Sequence, residues 1–332
     1  MTIPFRIKAI MSFSDAALFT LLLLGAACGQ GDKREAGRVS DTASADSMGV
    51  APTNVTAFPL KTTRNLRESS ALAMSREQDG VLFTINDSGN EPVLFALDTS
   101  GADRGAWRVK GARNIDWEAL AVGPCGTSAS NCVYIGDVGD NDAVHPTRTI
   151  YRVAEPIANA SAAMGSISVG QSVTFTYADR AHDVEAMYVA RNGDVFLITK
   201  RALATESAHL RPALVFRISS DAWTAKNKVT AELIDSLSIV PGSAPFRAIT
   251  DAALSPDGKH VAVRTYSQLY VYSTDATSGR VLGDVPAAVC NLAPLGEAQG
   301  EGVTWLSSSG RFAFSSEGRE APLHLANCPL SR

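Results

Sequence analysis

The 332-residue chain lacks most of the signatures that mark familiar enzymes. It has no GxSxG turn, no HExxH helix pattern, no GxGxxG turn and no GxxxxGK loop. Serine-hydrolase, zinc-protease, dehydrogenase and nucleotide-hydrolase chemistry are therefore left without their usual residues. Cysteine is scarce, five in all, with no CxxC or Cys/His spacing to hold a structural zinc. Charged residues make up only 19%, the formal net charge is -4, and no Lys/Arg cluster is interleaved with aromatics, so no nucleic-acid partner is expected. After residue 54 little reads as a long amphipathic helix. Short runs of Val, Ile, Phe, Tyr and Leu recur instead between Gly, Asp, Asn and Pro, the pattern of an all-β protein.

The first residues differ from the rest. Arg6 and Lys8 precede the apolar run AALFTLLLLGAA, too short for a membrane span, and 1–27 reads as a secretory signal peptide. Gly25-Ala26-Ala27-Cys28 resembles the bacterial lipobox, with Gly25 where the pattern has Leu. That resemblance implies lipidation of Cys28 and a membrane partner through an N-terminal lipid anchor, with ordinary cleavage near Ala27 as the alternative. Residues 28–53, poor in aromatics and rich in Ser, Asp, Gly and Ala, cannot bury enough surface to fold and read as a disordered tether. The expected location is the cell envelope, anchored or secreted, with a folded body over 54–332. Four cysteines then remain to pair. Cys125 with Cys132 and Cys290 with Cys328 is the expected connectivity, because the first two are close in sequence.

The folded body repeats. ESSALAM, DWEALAV, DVEAMYV, AITDAAL and QGEGVTW, beginning at residues 68, 116, 183, 248 and 299, each lead from a polar approach into a small, apolar strand. A second strand follows each one: VLFTIND, CVYIGDV, VFLITKR, VAVRTYS and FAFSSEG. The intervening turns include QDG, Asn192-Gly193, PDGK and SSGR, residues that accept positive φ. Third strands recur in all five units and fourth strands in the first four. The strand missing from the last unit is available in VTAFPLKTT, at the other end of the chain. This is the closure of a β-propeller whose N-terminal strand completes the last blade. Five four-stranded blades are expected. Six remain the alternative, because units two and three are long enough to hide extra strands.

In such a blade the approach to strand one and the turn between strands two and three lie on one face. That places Asn86, Asp87, Arg113, Asn114, Asp116, Glu118, Asp137, Asp140, Asn141, His182, Asp183, Glu185, Lys200, Arg247 and Glu301 around one channel mouth. Glu118, Glu185 and Glu301 share one repeat position, at which Ser70 and Thr250 stand in the other units, so the fold does not require a carboxylate there. Oxygen donors from several blades suit a hard divalent cation such as calcium. Asp137, Glu118 and Glu185 are the candidate metal ligands. Asn86, Asp87, Arg113, Asn114, Asp116, Lys200, Arg247 and Glu301 are the candidate ligand-binding residues. His182 beside Asp183 has the composition of a base oriented by a carboxylate, although adjacent strand residues point to opposite faces. The aspartate-rich GDVGDND, residues 136–142, lacks the spacing of an EF-hand and gains interest only from its corner on this rim.

The units NDSGNEPVLFALD, NIDWEALAVGPC, VYIGDVGDN, DVEAMYV, ITDAALSPDGKHVAVRTY and QGEGVTW resemble a group of secreted bacterial β-propeller proteins of uncharacterised function, over about residues 66–318. SPDGKHVAV also resembles WD-like propeller repeats of periplasmic proteins. More distantly, the architecture is similar to phytase-like and lactonase-like propellers, whose mouth carboxylates hold calcium for ester or phosphoester hydrolysis. Two functions follow as expectations: an envelope module binding a protein, glycan or small ligand on its polar face, or a calcium-dependent hydrolase.

Overall fold

The computed structural model of the chain describes residues 49–61, 65–126, 130–159, 164–200, 212–237, 239, 248–319 and 321–330. The signal-peptide and lipidation readings, including Cys28, most of the tether and Arg247, lie outside the described residues. Among the described residues, helix is confined to two 3-10 turns at Ser220–Trp223 and Ala293–Leu295, and no helix is long and apolar enough to cross a membrane.

The remaining regular structure is strand, and the strands fall where the repeat puts them. The first unit is β2 (Ser69–Met74), β3 (Val81–Asn86), β4 (Val93–Asp98) and β5 (Asp103–Lys110). The second is β6 (Trp117–Pro124), β7 (Asn131–Asp137), β8 (Arg148–Ala154) and β10 (Gln171–Tyr177). The third comprises β11 (Val184–Val189), β12 (Val195–Thr199), β13 (Ala213–Ile218) and β14 (Val229–Leu237). The fourth comprises β15 (Ile249–Leu254), β16 (His260–Thr265), β17 (Gln268–Ser273) and β18 (Ala288–Asn291). The last holds β19 (Gly300–Ser307), β20 (Arg311–Ser316) and β21 (Leu323–Asn327), and β1 (Thr53–Phe58) pairs antiparallel with β21 as its fourth strand. Within each unit, successive strands are antiparallel neighbours.

The units close on one another. β2 packs against β6, β6 against β11, β11 against β15, β15 against β19, and β19 back against β2. An apolar cluster fills each interface, for example Phe83, Ile85, Trp117 and Leu120 between the first two units. Leu72 and Leu82 meet Ala313, Leu323 and Leu325 between the last and the first. This explains why the second strands are buried at nearly every position, as in Val81–Asn86. A strand sandwiched between two neighbours has no wet face, so its sequence is a continuous apolar run instead of an alternating one.

Two departures from a plain repeat occur, both in the long second unit. The β8 to β10 connection contains β9 (Gly165–Ser168), which runs parallel beside β5 of the first unit. β10 also pairs parallel with β14, joining the second and third units into one eight-stranded sheet. Ahead of β1, Val50 bridges Cys290, with Val50 N–H donating to Val289 O (3.0 Å), so chain placed in the tether by composition pairs with β18.

Both expected disulfides form. Cys125–Cys132 clamps the β6–β7 hairpin, and Cys290–Cys328 staples β18 to the end of β21 across a sequence separation of 38. Two such bonds fit an oxidising compartment, extracellular or periplasmic.

Candidate acidic site at one channel mouth

Each innermost strand has the same irregularity near its start. Ser69 and Ala71 oppose Asn86 and Ile85, so Ser70 is an extra residue in the ladder. Glu118, Glu185, Thr250 and Glu301 are extra in the same way between their neighbours. A β-bulge re-aims the side chain of its extra residue, and here it recurs in all five units at the position the repeat had aligned. What the side chain does depends on its type. Ser70 Oγ donates to Trp117 O (2.9 Å) and Thr250 Oγ1 to Gly300 O (3.0 Å), tying each strand to the next unit. The three glutamates instead stay buried, at 6%, 2% and 4% exposure for Glu118, Glu185 and Glu301, and feel the charge of one another in turn round the units.

Their electrostatics form a ring of repulsion. Burial, then Glu185, Asp87 and Asp116, push Glu118 well above the usual carboxylate range. Burial raises Glu185 to about 8, although Lys200 Nζ pairs with its Oε1 at 2.8 Å, and Asp183 and Glu301 add to the rise. Glu301 reaches about 7 through burial and Glu317. Glu317 is raised by burial, Asp87 and Glu68, which returns the ring to its start. Asp116 rises to about 6 from burial and then Asp87. Among the described residues three cations pair with acids of their own: Lys200 with Glu185, Arg148 with Asp140 (3.2 Å) and Arg264 with Glu297.

The tightest convergence is Asp87, Asp116 and Glu118, one carboxylate oxygen from each lying within 4.8 Å of the others. Oxygens around a calcium ion at 2.3–2.6 Å have mutual spacings within that limit, and an all-carboxylate donor set is that of a hard cation. The three residues come from the β3–β4 turn and from the start of β6, so the first and second units supply the cluster jointly. All three were legible as candidates, but only Glu118 as a metal ligand.

The other named residues separate by role. Asp137 Oδ1 accepts from Asp116 N–H (2.7 Å) and holds the approach to β6, rather than joining the cluster. Asn86 acts likewise in the first unit, accepting from Arg67 N–H (2.9 Å) and Glu68 N–H (3.1 Å) and donating to Asn65 O (2.7 Å). Asn114 Nδ2 donates to Asp87 O (2.8 Å) while its Oδ1 receives Trp117 N–H (3.1 Å), which fixes Asp87 against β6. Arg113 is exposed, and its carbonyl receives Trp117 Nε1–H (2.8 Å). His182 and Asp183 do not form a dyad. His182 Nε2 meets Asp179 at 3.0 Å and its ring packs on Tyr177 and Phe216, whereas Asp183 Oδ1 accepts from Asp140 N–H (2.8 Å). The opposite facing of adjacent residues accounts for the split.

GDVGDND packs against the cluster through Gly139. A Cβ on Gly139 would lie 2.6 Å from Glu118 Cγ and 2.7 Å from Asp116 Oδ2, so the glycine lets this loop's backbone press directly on two of the three acids. Its Asp140 is a structural anchor, held below the usual range because bonds from His145 and the Arg148 charge outweigh burial. Gly139→Ala is expected to cost about 1–3 kcal/mol from overpacking. Urea unfolding measures this, and a change under 0.5 kcal/mol would show that the contact relaxes freely.

No protein-family model matches the chain, and no curated protein matches it. Solved structures with some likeness include the Dos1 propeller, at 14% identity and a TM-score of 0.36, with 79% of this chain and 58% of that one covered. A gluconolactonase from Xanthomonas campestris superposes at 14% identity and TM-score 0.39, covering 82% and 98%. A Trichoderma reesei carbohydrate-active enzyme of family AA12 does so at 12% identity and TM-score 0.42, covering 84% and 98%. The chain spans less than two thirds of the Dos1 propeller's length.

Proposed function

We propose that this protein is an exported, five-bladed β-propeller that binds a calcium-type cation at its acidic mouth and, through that ion and the rim, an oxygen-bearing ligand. The observation that carries the reading is the meeting of Asp87, Asp116 and Glu118 oxygens within 4.8 Å, while Lys200 and Arg148 are held by Glu185 and Asp140. Mutual repulsion of this kind is relieved by a bound cation more directly than by any rearrangement of a closed ring of strands. The five-blade count rests on the five inner strands contacting one another in a closed cycle. Export, and anchoring through Cys28, rest on the N-terminal sequence together with the two disulfides.

Hydrolysis of an ester or phosphoester is the second reading, favoured by one observation. Glu301, raised to about 7 and beside Tyr266, lies in the range where a carboxyl serves as general acid or base near neutral pH. Bound calcium would supply polarisation of the substrate oxygen.

Calcium added to the full chain is expected to raise its melting temperature, and Glu118→Gln and Asp87→Asn to abolish the rise. At a free calcium of about 100 times Kd the gain is about 2.7 kcal/mol. A melt unchanged across millimolar calcium would sink the cation reading. Turnover of generic esters or phosphoesters that is lost in Glu301→Gln would favour the hydrolase, and inactivity towards all of them the binding module.

A further inference from the structure

The far end of the same channel has a different chemistry. All five innermost strands finish around a cavity of about 530 Å3, walled by residues that include Leu72, Met74, Leu120, Val122, Trp305 and Leu306. Asp251, on β15, links strands that line it. Its Oδ2 accepts from Leu72 N–H (3.2 Å) on β2 and Val303 N–H (2.8 Å) on β19, and its Oδ1 from Ala252 N–H (2.8 Å), so three inner strands are tied together across the channel.

The charged side chains in the cavity wall are Arg76 and Arg191, each just beyond the end of an inner strand. Arg191 Nη2 donates to the Pro256 carbonyl (2.9 Å), and neither guanidinium forms a salt bridge among the described residues. Both arginines are exposed at the rim, yet the protein packed around Arg76 and then the Arg191 charge hold it below the ordinary arginine value. Glu155 is the acid whose charge offsets this in part; its Oε1 accepts from Ser75 Oγ and from Gln78 Nε2 (3.4 Å), while its Oε2 has no partner among the described residues. A chamber of this size, walled by apolar side chains together with polar groups such as Ser75, Thr304 and the two arginines, is typical of a small-molecule site. With Glu155 offsetting only part of one of them, the two guanidinium charges leave the lip positive, which sets the sign of what enters.

We propose that this cavity binds a small anionic amphiphile, with an apolar body of about ten carbons inside and a carboxylate or phosphate head held by Arg76 and Arg191. The site is independent of the acidic mouth, and neither the proposed cation nor the ligand there takes part in it.

Calorimetric titration of the full chain with decanoate and decyl phosphate tests it, with acetate, decanol and decyltrimethylammonium as comparisons. Both anions with tails are expected to bind, decanol more weakly, and acetate and the ammonium compound not at all at the same concentrations. The double variant Arg76→Gln/Arg191→Gln is expected to weaken both tailed anions by about tenfold or more while leaving decanol binding unchanged. Its calcium response should also be unchanged, which keeps this test separate from that of the acidic mouth. Should the double variant melt early, Leu306→Glu decides the same question, since a carboxylate on the half-buried wall should exclude decanoate. Equal binding of decanoate and decyltrimethylammonium, binding of acetate as tight as decanoate, or full affinity in the charge-removed variants would overturn the proposal.

Discussion

Replacing Arg264 with methionine is expected to destabilise the protein by about 3–5 kcal/mol, among the largest losses from any single substitution. Arg264 stands on β16 in an otherwise apolar run and is fully buried. Its Nη1 donates to Gly302 O (2.6 Å) and Ser315 O (3.1 Å), its Nη2 to Glu297, and its guanidinium lies 5.3 Å from the Phe314 ring centre. One side chain of the fourth unit thereby satisfies two carbonyls and a buried acid next to the fifth. Methionine fills similar space but leaves Glu297, also bonded to His324 Nδ1 (3.2 Å), buried without its main counter-charge. The loss corresponds to a fall in melting temperature of about 10 °C for a domain of this size. Adding Glu297→Gln to Arg264→Met should recover part of it, because the cost lies in the orphaned charge rather than in the missing cation. A single variant that melts within about 1 kcal/mol of the parent would sink this account.

Without a cation, stability is expected to fall as pH rises from about 5 to 8. Unfolded carboxyls titrate near 4, whereas folded Glu301 titrates at about 7, raised by burial and Glu317, and Asp116 at about 6, raised by burial and Asp87. Between those values the folded state holds protons that the unfolded state has lost, so each deprotonation costs stability. Glu301 alone would contribute about 3 kcal/mol. Asp140 and Glu297 act in the opposite sense and in another window. Their folded values are lowered, by His145 and by Arg264 against the opposing effect of burial, so their contribution is present above the unfolded value and lost as pH drops through the folded one. Together these shifts place maximum stability near the unfolded carboxyl value, at about pH 4. Calcium should flatten the descending limb, since a cation at Asp87, Asp116 and Glu118 replaces the protons. Urea melts at pH 5 and 8, with chelator and with calcium, measure both effects. Stability that is level or rising across that range in chelator would contradict the raised carboxyls.

Much of the molecule was legible in the amino-acid order. The strands of the repeat and the Cys125–Cys132 pair were readable because apolar runs, turn residues and a short loop closure are local properties; the completing role of VTAFPLKTT followed from the strand missing in the last unit, and Cys290–Cys328 from the two cysteines left over. β9 was not, since a four-residue strand with every position partly wet carries no apolar period and exists only because β5 is beside it. Asp251 and Arg264 were equally hidden in their tertiary roles: a charged residue inside an apolar run signals a partner but does not say which.

At the acidic mouth the division is sharper. By itself, the sequence determined that Glu118, Glu185 and Glu301 occupy one repeat position and that Asp87, Asp116 and the GDVGDND loop share a rim. Tertiary structure alone decided that Asp87, Asp116 and Glu118 converge, that Asp137 and Asn86 hold backbone instead, and that His182 turns away to Asp179. The reason is geometric. A bulge redirects one side chain by inserting one residue, and whether two carboxylates meet depends on how neighbouring units pack, which no single repeat encodes.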